Sequence, residues 1–234
     1  NRLKAVAGLK ENRLKDAQKN VNLALKQSDK KRKGEIHHCL IKQLSGVIEF
    51  KAGKFKQAYK TLSSVIDYFL RISSDLSYAE SAILMGLSRA ETGNCNQAVD
   101  LIMLGFEKAG LNNYSFLPLL DDEIISKALI TAAIHKRIKS QDAYLIKLLK
   151  ECDATTTSTQ IQNAIAQAPK KDKPQVRESL LILHKKILPE LHIRTLGKFE
   201  IHLNATPVDP GVFEGSKPIL LLKAIIMPMI WMCS

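Results

Sequence analysis

Aromatic residues are scarce in this chain: five Tyr, seven Phe and one Trp make up 6% of 234 residues. Eleven Gly and eight Pro are too few for the many short strands and turns of an all-β chain, so most of it is expected to be helical. No run of eighteen or more apolar residues occurs, and nothing here is expected to span a bilayer as a helix. Cys39, Cys95, Cys152 and Cys233 form no Cys-x-x-Cys pair, and no secretory signal precedes them; a reduced, cytoplasmic chain is the expectation. The first residue is Asn1 rather than Met, which reads as a start inside a longer or processed protein. A phosphate-binding loop G-x-x-x-x-G-K-[ST] is missing, because the interval from Gly46 to Gly53 and Lys54 has the wrong length.

What is present is apolar residue spaced by threes and fours. Leu14, Ala17, Val21, Ala24 and Leu25 form one such stripe, and Phe55, Ala58, Leu62, Val65, Ile66 and Phe69 another. Aligning Ala17, Ala58 and Ala98 brings further positions into line. Five residues earlier stand Asn12, Gly53 and Gly93, three earlier Leu14, Phe55 and Cys95, and four later Val21, Leu62 and Ile102. Twelve earlier come Ala5, Gly46 and Gly86, small residues that would let two helices approach closely. The period is 41 residues, then 40. It predicts helical hairpins whose turns sit at Asn12, Gly53 and Gly93, residue types that tolerate the left-handed conformation ending a helix. A fourth, degenerate unit can be anchored on Ala143, with Thr131 at minus twelve, Ile138 replacing the turn glycine and Lys147 at plus four.

The run Gly53-Lys54-Phe55-Lys56-Gln57-Ala58, with its small residue twelve positions before the alanine, resembles the tetratricopeptide repeat. The resemblance covers residues 1–152. The period is longer than the usual one of about 34 residues, as in the tetratricopeptide-like arrays of maltose-activator-type bacterial regulators. Residues 153–189 read as a helical cap or linker. Asp153 and the Thr and Ser residues after it offer N-cap oxygens for a helix through Ala168, and Pro174 falls in the first turn of a last helix ending at Pro189.

From residue 190 the period becomes two. Leu191, Ile193 and Thr195 alternate with His192, Arg194 and Leu196, and Phe199, Ile201 and Leu203 with Lys198, Glu200 and His202. This is the pattern of a β-hairpin turning at Leu196-Gly197-Lys198. Asn204, Pro207 and Pro210 mark further turns, and Ser216, Lys217 and Pro218 open a leucine-rich helix. The stretch from Ile193 through Thr195-Leu196-Gly197-Lys198-Phe199-Glu200 to Lys217-Pro218 and Leu221-Leu222-Lys223-Ala224-Ile225-Ile226 resembles the opening of the winged-helix domain of SARP/BTAD-type bacterial transcriptional activators, itself similar to the OmpR/PhoB effector fold. In that family a third helix enters the DNA major groove; here Met227 to Ser234, with Pro228, departs from the pattern before it. The resemblance also implies an NTPase upstream and an activator domain downstream.

The fold class expected is therefore mainly α: a tetratricopeptide-like α-solenoid over 1–152, a helical cap over 153–189, and a small C-terminal α+β segment, an incomplete winged helix, over 190–234. The function the resemblance implies is that of a transcriptional regulator. Its partners would be protein, other domains of the same regulator, DNA through the complete protein and a second copy of itself; no membrane, cofactor or metal is expected. The alternative is a tetratricopeptide scaffold for protein interactions with no DNA role.

Candidate binding residues follow from charge. The net charge is +12, and residues 1–60 hold sixteen Lys and Arg against five Asp and Glu. The densest run is Lys30-Lys31-Arg32-Lys33, which could meet phosphates or an acidic domain. Arg194, Lys198 and Lys217 are candidates for backbone phosphate contact at the winged-helix start. Nucleophile and metal readings are weaker. Adjacent helical side chains diverge by about 100°, which sets His37, His38 and Cys39 apart, and Asp121-Asp122-Glu123 suits the positive end of a helix. No enzyme is expected.

Overall fold

The computed structural model describes residues 1–30, 35–135, 143–187, 191–194, 200–203 and 206–207. The chain is mainly helical and divides into two compact units, Asn1–Ile187 and Leu188–Ser234.

The first unit begins with α1 (Arg2–Lys10), α2 (Leu14–Lys30), α3 (Glu35–Lys51), α4 (Phe55–Arg71), α5 (Asp75–Glu91) and α6 (Cys95–Leu111). Each of α2 to α6 is 17 residues long. Three residues join α3 to α4, α4 to α5 and α5 to α6, so each helix and its turn occupies twenty residues and a pair occupies forty. The longer first interval of 41 places its extra residue between Lys30 and Glu35.

The turns share one construction. Asn12 (φ 55°), Gly53 (φ 72°) and Gly93 (φ 88°) are left-handed, at the positions the repeat alignment marks, and so are Ser73 (φ 54°) and Asn113 (φ 50°) between them. At each, the following N–H reaches back across the turn: Lys54 donates to Glu49 O at 2.9 Å, Ser74 to Phe69 O at 2.9 Å, Asn94 to Arg89 O at 3.0 Å and Tyr114 to Ala109 O at 3.1 Å. The left-handed residue itself donates to the carbonyl three before it, as Gly53 does to Phe50 at 2.9 Å. This Schellman arrangement satisfies the last carbonyls of one helix and turns the chain directly into the next.

Consecutive helices α1 to α6 are antiparallel neighbours, and the odd helices also touch one another, α1 with α3, α3 with α5 and α5 with α7. Ala17, Ala58 and Ala98 are fully buried, as are Val21, Leu62 and Ile102 four residues later. The small residues of the odd helices lie where the repeat alignment requires close approach. A Cβ on Gly86 would stand 2.6 Å from Ala98 O and 2.6 Å from Ile102 Cγ1, and one on Gly46 2.6 Å from Leu62 Cγ. Gly105 on α6 returns the approach: a Cβ there would stand 2.8 Å from Ala79 O on α5, so these two helices meet through glycines on both sides.

The cadence then changes. Helices α7 (Asp122–Ile134) and α8 (Ala143–Glu151) are shorter, and α9 (Ala154–Gln167) and α10 (Lys173–Ile187) fold back on α7, with α10 also meeting α8. The fourth unit anchored on Ala143 is corrected here. Ala143 is exposed, and the buried stripe of α8 is Leu145, Leu148 and Leu149 followed by Cys152. The leucines outweigh the alanine because each removes far more apolar surface from water. Ile138 lies outside the described residues. Asp153 caps α9, accepting from Thr156 N at 2.6 Å, which holds its carboxyl below the usual range.

In the second unit β1 (Leu191–Arg194), β2 (Glu200–Leu203) and β3 (Thr206–Pro207) form an antiparallel sheet in the order β1-β2-β3. Leu191 pairs with Leu203, Ile193 with Ile201, His192 with His202 and Arg194 with Glu200, so the two alternating sets share faces across the strands. Pro207, read from sequence as a turn residue, instead ends a two-residue edge strand opposite His202, a place where its missing N–H is tolerated.

Candidate functional site

The exposed side of α2 carries the clearest surface feature. Lys15, Lys19 and Lys26 recur at helical spacing along one stripe, and Lys54 joins them from the turn before α4. All four are exposed, and none takes part in an ion pair among those the structure shows. They border an open groove of about 560 Å³ with Leu14, Leu23, Ile48 and Ala52 along it and no carboxylate in its lining. Asp16, which is not part of that lining, pairs with Arg13 at 3.2 Å. Four uncompensated cations beside apolar surface can hold phosphate or carboxylate groups and a nonpolar side chain together.

Sequence reasoning chose the neighbouring run instead. Lys30 is the last residue of α2, four residues beyond Lys26, while Lys31, Arg32 and Lys33 lie outside the described residues. A search by helical spacing rather than by density would have found Lys15, Lys19 and Lys26. Arg194 takes the register position opposite Glu200 in the second unit; Lys198 and Lys217 lie outside the described residues. Of the repeat positions, Gly46, Gly53, Ala58, Gly86, Gly93 and Ala98 serve the turns and close contacts described above, and Phe55 packs edge-on against Phe50 with ring centres 5.4 Å apart.

A second, larger cavity of about 800 Å³ lies among the α5–α6 turn, α7, α9 and α10. Gln160, Asn163, Gln167 and Gln175 line it with Thr131 and His135, and an ion pair between Lys127 and Glu91 stands at its edge. The lining is rich in neutral amides, which suits a polar ligand of small-molecule size.

The titratable groups flagged by sequence have structural positions. Asp121 is the N-cap of α7, accepting from Ile124 N at 3.0 Å, and it pairs with Lys51; Asp122 accepts from Asp153 N at 2.9 Å. Cys39 and Cys152 are buried, and burial pushes the Cys152 thiol up to about 11, away from thiolate chemistry. Cys95 is exposed at the rim of the larger cavity. His37 is exposed, and His38 Nδ1 lies 3.2 Å from Ser28 Oγ. Among the described residues no three His, Cys, Asp or Glu side chains converge as a metal site.

One buried carboxylate went unnoticed in the sequence. Glu80, 3% exposed on α5, accepts from Leu119 N at 2.8 Å and faces Gln43 Nε2 at 3.4 Å, while Gln43 also donates to Ser77 O at 2.9 Å. Burial raises its pKa to about 7, against the opposing pull of those two hydrogen bonds. No protein-family model, curated protein or solved structure matches this chain. Among the described residues no helix is long and apolar enough to cross a membrane.

Proposed function

We propose that this chain is part of a cytoplasmic bacterial transcriptional regulator of the SARP/BTAD type. In this reading α1 to α6 form a tetratricopeptide-like α-solenoid that binds a protein or effector, and residues 190–234 open a winged-helix DNA-binding domain. The observation that carries it is the β1–β2 pairing, Leu191 with Leu203 through Arg194 with Glu200, in a compact unit separate from the helices. That pairing supports reading the residues on either side of Thr195–Phe199, which themselves lie outside the described residues, as the strand pair of the resembled domain. The twenty-residue cadence of helix and left-handed turn supports the solenoid, because equal units stack with a constant offset.

The mechanism follows from linkage. A ligand shifts a regulator between inactive and DNA-competent states only by its different affinity for the two. The amide-lined cavity of about 800 Å³ is of a size for a polar effector, and the lysine groove on α2 suits an acidic partner or domain. No catalytic role is proposed. Reading the gene beyond Ser234 tests this proposal: a recognition helix and wing in frame support it, and a stop codon there removes it.

A second reading, a protein-interaction scaffold without DNA binding, is favoured by residues 1–187 forming a compact unit of their own, in which α9 and α10 pack on α7.

A further inference from the structure

The helical period places the lysines of α2. Lys15, Lys19 and Lys26 are four and seven residues apart, so they fall within about 40° of one another around the axis, separated along it by about 6 Å and about 10 Å. Lys54 borders the same groove. The groove is also apolar: Leu23 is 42% exposed in it, Leu14 is half-buried, and Ile48 of α3 and Ala52 just after it complete the lining.

That lining contains no arginine and no aromatic ring. A nucleic acid here would find neither a guanidinium fork for its phosphates nor a ring on which to stack a base, and it would leave the leucines unmatched. Carboxylates with aliphatic side chains use both halves of the groove. The spacing also selects the conformation of the partner. An extended chain advances about 3.3 Å per residue, so carboxylates reaching the three lysines would stand two and then three residues apart, with the last on the opposite face. A helix beside α2 carries them four and seven residues apart, all on one face. No two Asp or Glu residues of this chain stand four apart, and its net charge is +12, so a second copy of these residues has no such face to offer.

We propose that this groove is the docking site of an acidic amphipathic helix from outside these 234 residues. The helix carries Asp or Glu at i, i+4 and i+11, or in the reverse order, with aliphatic residues flanking them. The proposal rests on reading the groove as the site of an acidic partner and deepens it. DNA binding plays no part in it, so its failure leaves the winged-helix reading untouched.

The test uses the full 234-residue chain and a fluorescein-labelled, end-blocked, alanine-based helical peptide. Glutamates at i, i+4, i+7 and i+11 serve either direction, with leucines at i+3 and i+8. A permuted peptide has the same composition with its glutamates spread around the helix. One variant carries K15Q, K19Q, K26Q and K54Q; a charge-matched control carries K4Q, K56Q, K60Q and K170Q, all exposed and outside the groove. A third carries Leu23→Ser, and circular dichroism checks all three. The expected result is anisotropy showing the patterned peptide bound tenfold or more tighter than the permuted one. The groove variant should lose tenfold or more of that affinity, Leu23→Ser at least threefold, and the control variant little. No binding, equal affinity for the two peptides, equal loss in groove and control variants, or no loss with Leu23→Ser overturns the proposal. A DNA duplex that binds more tightly than the peptide, and loses that affinity in the groove variant, assigns the groove to phosphate and overturns it too.

Discussion

Glu80 shows what one residue can impose. Its ionised form is disfavoured by burial, so its pKa stands near 7 in the fold against about 4.5 in a solvated chain. The folded state therefore holds this proton more tightly than the unfolded one. The stability gained from it is complete below about pH 4.5, declines as pH rises to 7 and is gone above. Glu80→Gln keeps an acceptor for Leu119 N and removes the charge. At pH 8 the variant should be more stable than the parent by at most about 3 kcal/mol, the gap closing by pH 4.5, as read by urea unfolding at both pH values. A gap independent of pH would show that Glu80 is not the titrating group. Gly86 makes a steric counterpart. A Cβ there meets backbone at Ala98 O, whereas one at Gly46 meets only the Leu62 side chain. Gly86→Ala should cost about 1–3 kcal/mol or more in thermal unfolding and exceed the cost of Gly46→Ala. The reverse order would mean that α5 and α6 can slide apart.

At the scale of elements, the turns decide what could be read. Asn12, Gly53 and Gly93 declared themselves because their residue types are the ones that adopt a positive φ without penalty. Ser73 did not, since serine rarely does so, and the true cadence of twenty was hidden inside the visible one of forty. Ser73→Gly should accordingly raise stability by up to about 1 kcal/mol, where Gly53→Ala should lower it by a similar amount, both measured as shifts in midpoint. If Ser73→Gly proved destabilising, the strain assigned to that turn would be absent. The strand pair was legible for a different reason: alternation fixes the face of every residue, and Ile193 opposite Ile201 needs only the position of the turn. Ala143 misled because a small residue at the expected distance says nothing of its neighbours, and Leu145, Leu148 and Leu149 set the face of α8 instead. The α6–α7 segment and the partners of Glu80 were not legible at all, for their contacts span intervals such as 39 and 70 residues that no local period records.

Across the whole molecule, charge and mass are distributed differently. The helical unit runs through Ile187 and gathers its core into one continuous cluster from Ala5 to Leu183. Its positive charge is concentrated at the opposite end of the sequence from the strands, in the first sixty residues and most visibly along α2. General attraction to phosphate by Lys15, Lys19, Lys26 and Lys54 would be steeply salt-dependent and indifferent to sequence. Reading of bases requires a recognition element in a groove. The two therefore separate in one experiment, which bears most directly on the regulator proposal: fluorescence anisotropy of the complete gene product on DNA from its own upstream region and on shuffled DNA, across a salt series, with and without residues 188 onward. The account predicts a preference for the upstream DNA that survives at high salt and disappears when residues 188 onward are removed. Equal affinity for both DNAs, falling with salt and unchanged by that removal, would contradict it.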